Sequence, residues 1–194
     1  MRDAVVRVAR VLAVPELPYE PSVRLAHEPD GKAWAQEHSG PTTPPTSCVI
    51  TVLPAGQALS ARELRHTLVH EVAHCYQERY APEGVGIPWL AEGSAVWVAA
   101  DLEGRSKATS DYWARYLATP KTALFRRSFS AVGFFASLTC KGVDPGPLII
   151  SMMKTGSSAA ALRIARRAEP DDHARQVRAA MARARLAPLP CGDA

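Results

Sequence analysis

The chain has 194 residues, of which 47% are apolar and 22% are charged, and its formal net charge is +4 at pH 7. This length suits one domain with a full hydrophobic core, and the composition is typical of a globular protein rather than a disordered or fibrous one. No apolar run approaches the roughly 18 residues that a membrane-spanning helix needs, so we expect no membrane span.

The N-terminal segment is predicted to be an amphipathic helix over residues 3–14, which Pro15 ends. Arg7 and Arg10 interrupt its apolar positions, and no small-residue cleavage site follows, so it does not resemble a secretory leader. Export as a domain of a larger protein remains an open alternative, and no compartment is assigned.

Two short strands are predicted next. The first is PSVRLAHE, residues 21–28, and the second is CVITVL, residues 48–53, whose β-branched side chains suit a sheet. A loop rich in proline and threonine separates them, and Pro54 ends the second strand. We expect the two strands to share one small sheet.

From Ser60 onward the pattern is helical. The tetrapeptide SARE predicts a capping box, in which the Ser60 side chain accepts from the amide near Glu63 and Glu63 reaches back. It begins a helix of about five turns that contains LVHEVAHCYQ, residues 68–77. Pro88 begins the next helix and Gly104 ends it. Further helices are predicted at residues 111–118, 129–140, 145–154, 157–168 and 171–186.

These elements predict an α+β fold with a small N-terminal sheet and a mainly helical C-terminal half, in a single domain of residues 1–194. Within it we distinguish a helix plus sheet at 1–59, the two central helices at 60–104, a helical half at 105–186 and a tail at 187–194.

Two histidines on the polar half of the first central helix indicate a metal site. His70 and His74 are one turn apart, so both imidazoles can bind one ion at the roughly 2.0 to 2.1 Å that zinc requires. Glu71 is displaced around the helix axis, where it can reach water beside a metal without binding the metal. The spacing therefore predicts a Zn²⁺ site with two histidine ligands and Glu71 as general base.

Two neighbouring residues are not expected to bind the ion. His66 lies about 12 Å before His74 along the helix, at 1.5 Å per residue, so we interpret it as a surface residue or a hydrogen-bond partner of the site. Cys75 points to the apolar half of the helix and is expected in the core. The four cysteines form no Cys-x-x-Cys pair, and their spacing leaves open whether they are disulfides or buried thiols.

Glu92 is the best candidate for a third metal ligand. It is the only charged residue between positions 89 and 100, in a segment that is apolar nearly all the way round. A buried carboxylate is costly unless it is paired, and zinc held by two neutral imidazoles would pair it. The small residues at 93–95 are expected to let this helix approach the histidine helix. The alternative is a carboxylate that the helix dipole favours near a helix start.

The motifs HTLVHEVAHCYQ and IPWLAEGSAVW together resemble the gluzincin metallopeptidases, in the peptidase MA-like form found in bacterial proteins. The resemblance covers about residues 47–104 and implies a zincin-like fold, zinc ligands at His70, His74 and Glu92, and activation by Glu71 of the water that attacks a peptide carbonyl. It implies a peptide or protein substrate, with an endopeptidase favoured slightly over an aminopeptidase.

Two departures from this group stand out. Related proteins often have a tyrosine in a later helix that stabilises the oxyanion, whereas Phe129 stands near that position in RSFSAVGFFASL, and Tyr112 and Tyr116 are alternative donors. The Gly-x-Met-Glu-Asn motif of aminopeptidases has no counterpart in SCVITVLP. This strand is instead expected to offer its backbone to an extended peptide.

Two other functions remain open. The first is a zinc-stabilised peptide- or protein-binding module without turnover, although such a module would have no use for Glu71 as a base. The second is an anion-binding helical protein built on the arginine-rich residues 162–186. Acidic residues interrupt that cluster and no aromatic residues are interleaved, so nucleic-acid binding is disfavoured.

Overall fold

The structure is a computed structural model that describes residues 1–26, 35–39, 44–81, 86–119 and 121–168. The predicted helix at 171–186, most of the arginine-rich segment and Cys191 lie outside these residues. The predicted metal ligands and the predicted general base all lie within the described ranges.

Most of the described residues form eight α-helices. In chain order they are α1 (Arg2–Leu12), α2 (Pro54–Gln57), α3 (Ala61–Tyr80), α4 (Pro88–Glu103), α5 (Lys107–Ala118), α6 (Val132–Cys140), α7 (Pro145–Met153) and α8 (Ser158–Ala168). Two 3₁₀ turns precede α6, at Leu124–Arg126 and Phe129–Ala131. None of the described helices has the length and apolar character needed to cross a membrane.

Apart from shifts of one or two residues at helix ends, the helices differ from the prediction in three places. Pro54 ends the strand but also begins α2, because its fixed φ suits a first helical position. α5 begins at Lys107 and not near residue 111, because the Ser106 side chain accepts a hydrogen bond from the amide of Thr109. Residues 129–131 form a 3₁₀ turn instead of the first turn of α6.

Three strands form one small sheet: β1 (Ser22–Leu25), β2 (Ala35–Ser39) and β3 (Cys48–Val52), in the order β1-β3-β2. The two predicted strands, β1 and β3, pair in parallel, which confirms that they share a sheet, and β2 pairs antiparallel to β3. The sequence does not predict β2, because AQEHS has no β-branched or aromatic residue. Since β3 is paired on both sides, the expectation that it offers its backbone to a peptide is wrong.

Helix α3 has the predicted cap at Ser60, but Glu63 does not reach back to the Ser60 amide as the capping box predicts. The Ser60 side chain accepts a hydrogen bond from the amide of Glu63 at 3.3 Å. The Glu63 carboxylate accepts from the Lys107 amide at 3.4 Å, which ties the start of α3 to the start of α5.

The core lies between α3, α4 and the elements packed on them. Val72 and Tyr76 of α3, Leu90 and Val98 of α4, and Ile50 of β3 are all fully buried. α4 is buried on nearly every side, as its almost uniformly apolar sequence predicts. The architecture is therefore α+β, mainly helical with one small sheet.

Not all the small residues of α4 face the histidine helix. A Cβ atom at Gly93 would lie 2.6 Å from the Cβ of Ala131, so Gly93 admits the Phe129–Ala131 turn and not the histidine helix. Ser94 faces α3, where its Oγ accepts a hydrogen bond from Gln77 at 2.9 Å. The expectation that the small residues let α4 approach the histidine helix is thus wrong for Gly93 and right for Ser94.

A disulfide joins the sheet to the histidine helix. Cys48 of β3 and Cys75 of α3 are bonded, with their Cα atoms 5.9 Å apart, and both are buried. Cys75 is therefore a core residue, as expected. All the described cysteines are disulfide-bonded, which excludes the alternative of buried thiols for them.

Replacing both Cys48 and Cys75 by alanine is expected to lower the free energy of unfolding by about 3 kcal/mol, because the bond restricts the unfolded chain. Urea unfolding followed by circular dichroism, at equal protein concentration for both forms, measures the change. An unchanged midpoint would show that this bond does not stabilise the fold.

Candidate metal centre

The polar side of α3 brings His70 and His74 together, as their spacing predicts. The ring centroids lie 4.7 Å apart in an edge-to-face arrangement, and the two Nε2 atoms are 3.1 Å apart. The side chains are only 13% and 15% exposed, so both rings are largely shielded from solvent.

Helix α4 adds Glu92 to this pair. Its Oε2 atom lies 3.4 Å from Nε2 of His70 and 3.6 Å from Nε2 of His74. The ligand atoms of these three residues all lie within 4.8 Å of one another. We call this group of three atoms the ligand triangle.

The edges of the ligand triangle match a tetrahedral site. A tetrahedron with metal–ligand bonds of about 2.1 Å has edges of about 3.4 Å, and the observed edges are 3.1, 3.4 and 3.6 Å. Within the part of the chain that the structure describes, no fourth His, Cys, Asp or Glu joins the group. A tetrahedral ion held by these three atoms would therefore have its fourth position open to a ligand from outside the described residues.

The environment of Glu92 fits a bound cation. Its Oε2 atom is buried, and among the described residues it has no hydrogen-bond partner. A buried carboxylate oxygen without a partner is unfavourable, and a cation shared with two imidazole nitrogens would supply the missing interaction. The triangle could therefore hold a metal ion, and its donors suit several transition metals.

Burial and the neighbouring side chains shift the pKa values of His74 and Glu92. Burial alone would lower the pKa of His74, but the nearby carboxylates of Glu92 and Glu71 outweigh it and raise that pKa to about 9. Burial alone would raise the pKa of Glu92, but His70 and His74 lower it to about 2. The cluster thus favours a carboxylate beside positive charge, which a metal ion would also provide.

Glu71 directly follows His70 on α3 and is not part of the ligand triangle. It is buried, at 7% exposed. Its charge is one of the causes that raise the pKa of His74. This placement agrees with a residue that acts next to a metal without binding it.

Sequence reasoning did not identify Gln77 as part of the site. His74 Nδ1 lies 2.7 Å from Gln77 Oε1, and Gln77 Nε2 donates to the Ala91 carbonyl and to Ser94 Oγ, each at 2.9 Å. A signal was present, because Gln77 follows His74 by three residues, a spacing at which helical side chains meet.

His66 is not the surface residue that one interpretation expected. It is 8% exposed, and its Nε2 lies 3.1 Å from Thr109 Oγ1. The prediction placed the start of α5 near residue 111, which left Thr109 outside that helix. Burial, followed by the nearby charge of His70, lowers the pKa of His66 to about 4.

An aromatic surface borders the ligand triangle. The Phe129 ring is nearly parallel to the His70 ring, with centroids 6.1 Å apart, and to the Tyr112 ring, with centroids 5.0 Å apart. Phe129 is 37% exposed. Tyr116, in contrast, is 1% exposed and packs under the Arg127 guanidinium, so it is a core residue and not a site residue.

No protein-family model matches the chain, and neither curated proteins nor solved structures give a significant match. The resemblance to gluzincins therefore depends on the two motifs. That these residues could hold a metal ion follows from the geometry of the ligand triangle.

The substitution His66→Gln is expected to reduce the sensitivity of the fold to acid. The pKa of His66 is about 4 in the folded protein, against an ordinary value of 6.5, so the unfolded chain binds the proton more readily. Stability should therefore fall as the pH drops from about 6.5 to about 4, by up to about 3 kcal/mol. Glutamine retains a hydrogen-bonding group for Thr109 but does not titrate.

Urea unfolding of chelator-treated protein at pH 7 and pH 4.5 measures this difference. The wild type should lose more unfolding free energy between the two pH values than His66→Gln. Nearby Glu63 and Glu103 also affect His66, but they are the same in both proteins. Identical losses would show that His66 does not contribute to acid sensitivity.

Proposed function

We propose that this chain is a zinc-dependent metallopeptidase of zincin-like fold, in the gluzincin group. The observation that carries the proposal is the ligand triangle of His70, His74 and Glu92. Glu92 follows His74 by 18 residues and lies on a different helix, so its ligand oxygen reaches the histidines only through tertiary packing. Three ligands at tetrahedral spacing are what a zinc site requires.

We propose zinc as the ion because of the chemistry of the ligand atoms. Two imidazole nitrogens and one carboxylate oxygen are typical of catalytic zinc sites, which leave the fourth position to water or substrate. Calcium and magnesium prefer about six or more oxygen ligands, so a site with two histidines does not suit them.

The proposed reaction is hydrolysis of a peptide bond. When bound, zinc supplies a Lewis acid that polarises the carbonyl and acidifies water. Glu71 takes a proton from the attacking water and gives it to the leaving amine nitrogen. Because Glu71 is not part of the ligand triangle, a metal ion held there would not occupy its carboxylate.

Tyr112 is the residue we propose as hydrogen-bond donor to the substrate carbonyl oxygen. Its ring stacks on Phe129, which borders His70. Burial, followed by the charge of Glu92, raises the pKa of Tyr112, so the phenol stays protonated at neutral pH and can donate as negative charge develops. Phe129 itself offers only apolar surface.

A second candidate is a zinc-stabilised module that binds a peptide or protein without turnover. It is favoured by Phe129, a large apolar side chain that is 37% exposed at the site and has no hydroxyl to donate. Glu71 counts against this candidate, because a binding module needs no proton acceptor beside the metal.

Zinc content by elemental mass spectrometry, measured together with casein digestion, separates the roles of ligand and base. The wild type should hold about one zinc per chain, and Glu92→Ala should lose most of it because one of three protein ligands is removed. Glu71→Gln should keep the zinc and lose at least about 100-fold in casein digestion, because an amide does not accept the proton.

Glu78→Gln is the matched control. It makes the same change of charge on the same helix α3, but outside the ligand triangle, so zinc content and digestion should both be unchanged. Zinc without casein digestion in the wild type would favour the binding module. A wild type that holds no zinc would contradict the metal site.

Tyr112→Phe is expected to lower kcat about 100-fold, with the zinc content and KM nearly unchanged, because only the donor to the developing oxyanion is lost. Steady-state kinetics on a fluorogenic peptide measures this. Tyr80→Phe, a change at the end of α3 where Tyr80 contacts Lys154, serves as control. A normal kcat in Tyr112→Phe would exclude the tyrosine from the reaction.

A further inference from the structure

Gln77 is buried at the contact between α3 and α4, and its whole amide group is used there. The side chain is 1% exposed. Its Oε1 atom lies 2.7 Å from Nδ1 of His74, and its Nε2 atom donates to the Ala91 carbonyl and to Ser94 Oγ, each at 2.9 Å. Three short polar contacts in a buried place hold the amide in one orientation.

The Ala91 carbonyl determines which way round the amide lies. A backbone carbonyl only accepts hydrogen bonds, so the group that faces it must be the NH2 of Gln77. A flipped amide would place two oxygens 2.9 Å apart. Ser94 agrees with this orientation, because its hydroxyl hydrogen goes to the Leu90 carbonyl at 2.6 Å, which leaves its oxygen to accept from Gln77.

The orientation of Gln77 determines which nitrogen of His74 carries a hydrogen. The amide oxygen only accepts, so Nδ1 must donate to it. As a metal ligand His74 must be neutral, and a neutral imidazole has one N–H, so Nε2 would keep its lone pair for the ion. Nε2 is the atom that faces His70 and Glu92 in the ligand triangle.

We infer that Gln77 is a positioning residue for the metal ion, which acts through His74 and through α4. Through His74 it selects the tautomer that presents Nε2 to the ion. Through its two donor bonds it holds the segment from Ala91 to Ser94, which contains Glu92. One amide thus aligns ligands on two helices. This role rests on the proposed function, because it requires a metal ion at the ligand triangle.

A residue that only ties helices together would behave differently. Loss of any buried hydrogen-bonding group destabilises the fold, but metal affinity falls only when that group orients a ligand. Tyr76 offers the comparison, because it is the residue before Gln77 and is 0% exposed. Its hydroxyl donates to the Val5 carbonyl at 2.9 Å and accepts from the Leu17 amide at 3.2 Å, so it ties α3 to the N-terminal segment instead.

Zinc dissociation constants of the wild type, Gln77→Leu and Tyr76→Phe, measured by competition with a chromogenic chelator, test this role. Thermal denaturation of the same proteins without zinc records their stability. Both variants should lower Tm. Gln77→Leu should weaken zinc binding by about 10-fold or more, whereas Tyr76→Phe should stay within about 2-fold of the wild type.

Gln77→Glu separates the two parts of the role and keeps the test decisive if Gln77→Leu does not fold. Glutamate retains an oxygen that faces Nδ1 of His74 but loses the donors to Ala91 and Ser94. It should therefore bind zinc more tightly than Gln77→Leu, while its Tm stays below that of the wild type. In the zinc-loaded wild type, NMR should also show a His74 Nδ1 proton that exchanges slowly with solvent, and Gln77→Leu should lose that protection.

The outcomes distinguish this role from the proposed function. Equal zinc affinities of Gln77→Leu and Tyr76→Phe would overturn the positioning role and leave the peptidase proposal intact. A wild type that binds no zinc would overturn both. Zinc binding that Gln77→Leu weakens, in a protein that digests no casein, would support the positioning role and contradict only the peptidase.

Discussion

The arrangement of the site depends on the close packing of α4 against α3. A carboxylate in an apolar helix is unfavourable unless positive charge or a metal lies beside it, and this packing brings two imidazoles within 3.6 Å of Glu92 Oε2. Gln77 and Ser94 hydrogen-bond at the same contact. The polar groups that could bind a metal and the groups that join the two helices therefore belong to one network.

Further contacts hold this helix pair in place. The Cys48–Cys75 disulfide ties the apolar side of α3 to the central strand of the sheet. Gly93 admits the 3₁₀ turn that places Phe129 next to the histidines, since a Cβ atom there would lie 2.6 Å from Ala131. Because interior side chains are close-packed, a larger residue at position 93 would move this turn and the aromatic surface with it.

Local features could be predicted from the sequence, and features that depend on distant partners could not. The cap at Ser60 depends on residues within one turn, and it is present as predicted. Strand β2 has no strand signal of its own and forms only because β3 offers it an edge. The burial of His66 depends on Thr109, which lies 43 residues further along the chain, and no periodicity of α3 reveals it.

By itself, the sequence determined that the two site histidines and the adjacent glutamate lie close together on one helix, because 3.6 residues per turn is a local property. It also showed that Glu92 is an unusual residue in an apolar helix. Only the tertiary structure decided that Glu92 meets the histidines, that Gln77 joins His74 to α4 and that Tyr112 stacks on the Phe129 ring beside His70. Each of these depends on the distance between helices, which is set by side-chain packing at their contacts and not by spacing along the chain.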